Sequence, residues 1–165
     1  MHTQTPHRIR QILFALLSAA CVSVVGCASW DDQVAAPENF RSSYISLHDC
    51  KQSAHPAAEY VITYLSPNAQ SVWDAYSAGD TDVDFEPGTV SVKVQYSDDQ
   101  CSDLTGYTVM EKTSADSSGE LGGWRWQYLN ESGECNDCDA GSACVSCHTP
   151  CMTGPAYFCT QPESM

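Results

Sequence analysis

Cys144 and Cys147 stand three positions apart, and His148 follows directly. Thiols at that spacing can each add to a vinyl group of one haem, and the next histidine then reaches the iron from one side. Cys-Val-Ser-Cys-His is thus a candidate attachment site for haem c, with His148 as the iron ligand. The pattern is short for a chain with ten cysteines, so its context has to carry the reading. A neighbouring pair, Cys135 and Cys138, is followed by Asp139 and lacks such a ligand. It can be a local disulfide, a redox dithiol or half of a zinc site. The interval to Cys144 is too short for a zinc ribbon. A thioredoxin-like role would put the motif at a strand-to-helix junction near the domain start. Structural disulfides are the preferred reading for Cys135, Cys138, Cys151 and Cys159.

The chain has 165 residues, enough for one domain with a single core. Its start is basic (His7, Arg8, Arg10) and runs into an apolar stretch from Ile12 to Val25. That stretch is short for a bilayer span and matches the apolar region of a secretory signal. It ends in Val24, Val25, Gly26 and Cys27, which resembles a lipobox with Cys27 as the acylated residue. The expected division is a leader over 1–26, a polar tether over 27–39 and a domain over 40–165. Export to the periplasm or the outer membrane on a lipid anchor follows, with an ordinary signal cut near Ala28 as the alternative. Losing 1–26 removes two arginines and no acid from a net charge of −14, leaving −16. Such a surface repels phosphate backbones, so nucleic acid is an unsuitable partner. It suits a basic redox protein, or simply keeps an exported protein soluble.

Cysteine arithmetic agrees with export. Without Cys21, Cys27 and the two thiols of the motif, six cysteines remain, enough for three disulfides of open pairing. An oxidising compartment allows these to stabilise a small, loop-rich fold.

The elements that must position the motif read as α+β, mainly antiparallel sheet with short N-terminal helices. Phe40, Tyr44 and Leu47, with the stem of Lys51, recur at helical spacing and predict a short helix ending near Cys50. His55-Pro56 breaks it. Glu59 to Leu65 is β-branched and aromatic between prolines and predicts a strand over a competing helical stripe. Ser66 and Pro67 start a helix carrying Val72, Trp73 and Tyr76, and Gly79 ends it. Asp80, Asp82 and Asp84 lack the spacing of a calcium loop and read as a solvated turn. Thr89 to Tyr96 alternates, with Val90, Val92, Val94 and Tyr96 on one face and Ser91, Lys93 and Gln95 on the other. Further strands are predicted over Tyr107–Lys112 and Trp124–Leu129. Beyond Gly133 the sequence predicts an irregular, cysteine-rich tail.

Taken in order, several segments resemble the cytochrome P-460 family. They are Tyr60 to Pro67, Pro87-Gly88-Thr89 running to Lys93, and Gly106 to Lys112 with its Val109-Met110-Glu111-Lys112. Gly122-Gly123-Trp124-Arg125-Trp126 and the terminal Cys144–His148 motif complete the set. The resemblance spans Phe40 to Phe158. It implies a homodimeric, β-rich fold and a five-coordinate haem c with His148 proximal and the other iron face open. Such a face suits a small nitrogen-containing substrate or a diatomic gas. Members oxidise hydroxylamine with nitric oxide to nitrous oxide and carry a lysine link to the porphyrin edge. A sister group, cytochrome c′-beta, lacks the link and binds nitric oxide without turnover. Lys93 stands where the family's strand lysine stands, although a surface lysine on a polar strand face is the plain alternative.

Hydroxylamine oxidation also wants a proton acceptor beside the substrate. Glu111 and Glu120 are the candidate carboxylates, each with a surface role as its alternative, and His55 could hydrogen-bond near the pocket. The family's Asp-aromatic-x-Phe segment appears here as Gly154 to Phe158 without the Asp. Two other functions fit the same residues. One is an electron carrier using Met110 or Met152 as second axial ligand. The other is a haem-free, disulfide-stabilised surface lipoprotein.

Overall fold

The computed structural model describes residues 36–54, 58–116, 118, 121–152 and 154–162. Helix α1 (Phe40–Ser43) leads into two short strands, β1 (Ile45–Ser46) and β2 (Lys51–Gln52). Strand β3 (Tyr60–Leu65) and a 3-10 turn (Pro67–Ala69) precede helix α2 (Gln70–Ser77). Three long strands follow, β4 (Val90–Tyr96), β5 (Leu104–Lys112) and β6 (Trp124–Leu129). The chain closes with β7 (Cys135–Asp137) and helix α3 (Gly141–His148). All strands join one seven-stranded antiparallel sheet ordered β1-β3-β4-β5-β6-β7, with β2 also on β3.

The expected α+β class and its main strands are therefore present, and three local expectations are corrected. The first helix spans only Phe40–Ser43, because Ile45 and Ser46 pair with Leu65 and Tyr64 instead of continuing the stripe. Lys51 lies on β2 opposite Val61. Ladder hydrogen bonds offered by β3 outweigh a weak helical pattern of few turns. Ser66 does not cap the next helix with its side chain; its hydroxyl accepts from Val90 N–H (2.9 Å) and donates to Asn68 Oδ1 (2.6 Å). The tail is not irregular, since it holds both β7 and α3. Gly79, at φ +97°, ends α2 as expected.

The two sheet faces carry different cores. Val90, Val92, Val94, Tyr96, Val109 and Leu129 share one with Phe40 of α1. On the other, Leu65, Trp73, Phe85, Met110, Trp124, Trp126 and Phe158 form an aromatic cluster. Phe158 sits at its centre, edge-on to Trp73 (6.2 Å between ring centroids) and Phe85 (5.1 Å). Its burial ties the C-terminal segment to α2 and the sheet, where a Phe of this kind contributes about 2–3 kcal/mol of apolar transfer.

Polar anchors reinforce that tie. Trp124 Nε1 donates to the Ala156 carbonyl (3.0 Å), and Ala156 N–H donates to Asp84 Oδ1 (3.3 Å). Asp84 Oδ2 in turn receives the Lys112 ammonium at 3.1 Å, so the acidic turn's last carboxylate pairs inward. Lys112 is fully buried; it also donates to the Gly122 carbonyl (3.3 Å) and lies 5.2 Å from the centre of the Trp124 ring. Gly154 must be glycine, because a Cβ there would lie 2.1 Å from the Tyr76 ring and its φ is +82°.

Asp84→Asn leaves the Lys112 charge buried against a weaker acceptor. The expected loss is about 1–3 kcal/mol in urea denaturation, reduced from the figure for a closed pair because Asp84 is partly exposed; an unchanged midpoint would remove Asp84 from the anchoring role. Cys50 and Cys101 form a disulfide across 51 residues that joins the β1–β2 loop to the β4–β5 turn. Replacing both by Ser should cost about 4 kcal/mol by the loop-entropy relation, read from the same titration.

Candidate functional site

Helix α3 explains how the three residues of the motif act together. Cys144, Cys147 and His148 fall at i, i+3 and i+4, which share one side of a helix. The helix lies close on β6 because Gly141 lacks a side chain. A Cβ there would meet Leu121 at 2.8 Å and Trp126 at 3.4 Å. The Ala140 N–H bonds to the Trp126 carbonyl at 3.1 Å and fixes the start of the helix on the strand. His148 then packs against the Trp126 ring at 4.6 Å between centroids, inclined by 74°.

His148 is buried, and its Nδ1 is 2.8 Å from the Tyr157 carbonyl. A carbonyl only accepts, so Nδ1 carries the proton and Nε2 keeps its lone pair for a metal. Burial lowers the His148 pKa, the Tyr157 carbonyl opposes this, and Lys93 adds a smaller lowering. The neutral, ligating form is thereby favoured. Tyr157 holds its carbonyl there from a left-handed backbone position (φ +64°), with its N–H on the Cys151 carbonyl at 2.8 Å. Its ring occupies the space that a Cβ at Gly122 would enter, at 2.2 Å. The segment from Gly154 to Phe158 thus supplies a backbone carbonyl to the histidine.

A cavity of about 480 Å³ opens between this helix, the C-terminal segment and the sheet. Its walls include Cys147 and His148 on one side and His48, Lys51, Val61, Thr63 and Lys93 on the other. A smaller space of about 20 Å³, bordered by Cys144, His148, Lys93, Met110 and Trp126, lies between α3 and the strands. The larger cavity falls within the usual range for cofactor sites.

Lys93 is brought to the motif. Strand β4 is buried on both faces, so its polar face of Ser91, Lys93 and Gln95 looks into the molecule. An alternating antiparallel strand commonly turns its polar side to water, but here the C-terminal segment and α3 cover that side. Burial lowers the Lys93 pKa most, Lys51 lowers it further, and Cys144 opposes the shift. Burial likewise pushes the Cys144 thiol up, followed by Asp137 and Cys147, with Lys93 acting against them. Lys93, Cys144 and His148 border the same small space between α3 and the strands.

Glu111 is not brought there. It alternates with Met110 and so faces the opposite side of the sheet, where its carboxylate pairs with Arg125 at 2.5 Å. Glu120, His55 and the acylation candidate Cys27 lie outside the described residues. His48 is the cavity group that the sequence did not single out. Its Nδ1 is 2.7 Å from the Asp49 carbonyl and its Nε2 is 3.0 Å from Thr63 Oγ1. The carbonyl fixes the proton on Nδ1, so the neutral ring accepts the Thr63 hydroxyl at Nε2. A lone histidine in a segment read as helix carries no local signal; only the fold of β1 and β2 onto β3 brings it to the cavity.

The donor set fits a covalently held haem. Cys50–Cys101, Cys135–Cys138 and Cys151–Cys159 are disulfides, and among the described residues only Cys144 and Cys147 are free thiols. The two free thiols and the histidine border adjoining cavities from a single helix face.

Among curated proteins no sequence match is found. The family model for Cytochrome P460 matches residues 37–154, most of the chain. That span takes in the sheet, both cavity lysines and the Cys-Val-Ser-Cys-His helix, and the chain belongs to the cytochrome P460 family of c-type cytochromes.

Proposed function

We propose that this chain is an exported mono-haem cytochrome that oxidises hydroxylamine with nitric oxide, or binds nitric oxide, at an open haem face. The observation that carries the reading is the cysteine partition. Six described cysteines close into disulfides, and the two that do not share a helix face with a buried histidine whose Nε2 is free to ligate. Cys144 and Cys147 would hold the haem c, and His148 would ligate its iron. A haem held there would supply an open coordination position and an electron sink for such chemistry.

The remaining roles fall to the chain's own side chains. The Tyr157 carbonyl keeps His148 in one tautomer and one orientation. His148 stands over Trp126 of β6, whereas His48 bonds to Thr63 of β3. Those strands are three places apart in the sheet order, roughly 14 Å at the usual spacing. His48 and Thr63 line the same cavity as His148, with Lys93 on the strand beside Thr63. A proton leaving the substrate can pass to Thr63 Oγ1 as that hydroxyl passes its own to His48 Nε2. Lys93 is the family-position lysine for a link to the porphyrin edge. Met110 is packed with Trp126 in the core and Met152 is 55% exposed, which supports an open coordination position over the electron-carrier reading.

The proposal includes a lipid anchor at Cys27, homodimeric assembly and electron delivery to a basic redox protein. Three disulfides support the exported setting, because such bonds persist in oxidising compartments.

Expression with haem-attachment machinery should give a haem-staining band on a denaturing gel. The Cys144→Ser/Cys147→Ser double variant should lose it, and a colourless wild-type protein would overturn the reading. Lys93→Ala should move the red-shifted ferrous Soret band if the link forms, and leave it in place if Lys93 is unlinked. His48→Gln should lower hydroxylamine turnover about a hundredfold with haem content unchanged. Glu111→Gln should leave turnover intact, since that carboxylate lies on the far face of the sheet.

A further inference from the structure

The described residues hold five basic side chains of the Lys and Arg type, and their partners divide them sharply. Lys112 pairs with Asp84, Arg125 pairs with Glu111, and Arg41 donates to the Tyr96 hydroxyl. Lys51 and Lys93 have no carboxylate within ion-pair distance among the described residues. Both face the same cavity of about 480 Å³. In a chain with 21 acidic residues against 7 basic ones, no Asp or Glu is found among the described residues lining that cavity. Among the described residues, the acid-rich surface thus leaves no carboxylate where these two cations converge.

Register shows how they converge. Lys51 of β2 is opposite Val61 and Lys93 of β4 is opposite Thr63, so the two lysines flank β3 on one sheet face. Two strand spacings separate them, roughly 10 Å, which long side chains can close over Val61 and Thr63. Both are half-buried, and burial, followed by the Lys51 charge, lowers the Lys93 pKa. Partly desolvated ammonium groups without a counterion are costly, and a bound anion removes that cost.

We infer that, with Lys93 unlinked to the porphyrin, Lys51 and Lys93 form an anion-binding site in the cavity that takes a carboxylate or small oxyanion between the two ammonium groups. The anion can be a propionate of the bound haem or a free oxyanion reaching the open haem face. In this the site rests on the haem reading above. Lys93 is tied to that reading by its place beside the motif, so Lys51, at the cavity's outer edge on β2, is the residue that isolates the anion site.

The test uses holoprotein whose haem content is first confirmed from its optical spectrum, and compares wild type with Lys51→Gln and Lys51→Arg. Absence of haem bands would fail the functional reading rather than the anion site. Nitrite is titrated into the ferric protein and carbon monoxide into the ferrous one, and the reduction potential is followed against pH. A free-anion site predicts about a three- to tenfold loss of nitrite affinity in Lys51→Gln, recovery in Lys51→Arg and unchanged affinity for uncharged carbon monoxide. A propionate site predicts unchanged nitrite affinity, with a lower potential that gains pH dependence between about pH 5 and 8 as the propionate pKa rises. If neither the nitrite affinity nor the pH profile of the potential moves in Lys51→Gln, the anion site is wrong.

Discussion

The hydrogen bond between His148 Nδ1 and the Tyr157 carbonyl is the contact on which the site depends. It selects the tautomer, sets the ring orientation and leaves Nε2 as the nitrogen for a metal. The acceptor belongs to a segment with no regular structure, so its position has to be fixed from outside. Phe158 fixes it through the aromatic cluster, and Ala156 through Trp124 and Asp84. The Cys151–Cys159 bridge closes the segment on itself. The buried Lys112, through Asp84, thus belongs to the support of a histidine that it does not touch.

A sheet with two buried faces is the second constraint. One face carries valines and tyrosines under α1, and the other carries both the aromatic cluster and the cavity. Small or polar side chains at Val61, Thr63, Lys93 and Thr108 leave room where Trp124, Trp126 and Met110 fill it. The cavity is therefore a gap in side-chain volume across one sheet face, and its polarity follows from the same alternation that buries the valines.

Much of the sheet was legible because the period-2 pattern of Val90–Tyr96 and the aromatic spacing of Trp124–Leu129 are strong local signals. The Cys144–His148 pattern stood out for a different reason, since its three candidate side chains are close neighbours in sequence. What failed were short elements decided by partners. The helical stripe from Phe40 to Lys51 yielded to pairing with β3, and α3 was missed because Gly, Ser, Cys and Val are weak helix formers. Glu111 could not be placed from the sequence for want of a face: one residue along a strand separates the cavity side from the opposite one. His48 could not be found at all without the long-range contact to Thr63.

The extra cysteines that set this chain's motif apart have a physical place in that scheme. Helix α3 is short and poor in intrinsic propensity, so its position comes from tertiary restraints rather than from its own sequence. One bridge, Cys135–Cys138, closes the β7 turn just before it, and another, Cys151–Cys159, closes the segment just after it. Cross-links on both flanks restrict the unfolded chain around the helix and reduce the entropy lost on ordering it. They also leave Cys144 and Cys147 as the unpaired thiols. The same bridges that hold the helix in register thus keep the motif's chemistry available, which makes the cysteine-rich surroundings a support for the site rather than a departure from it.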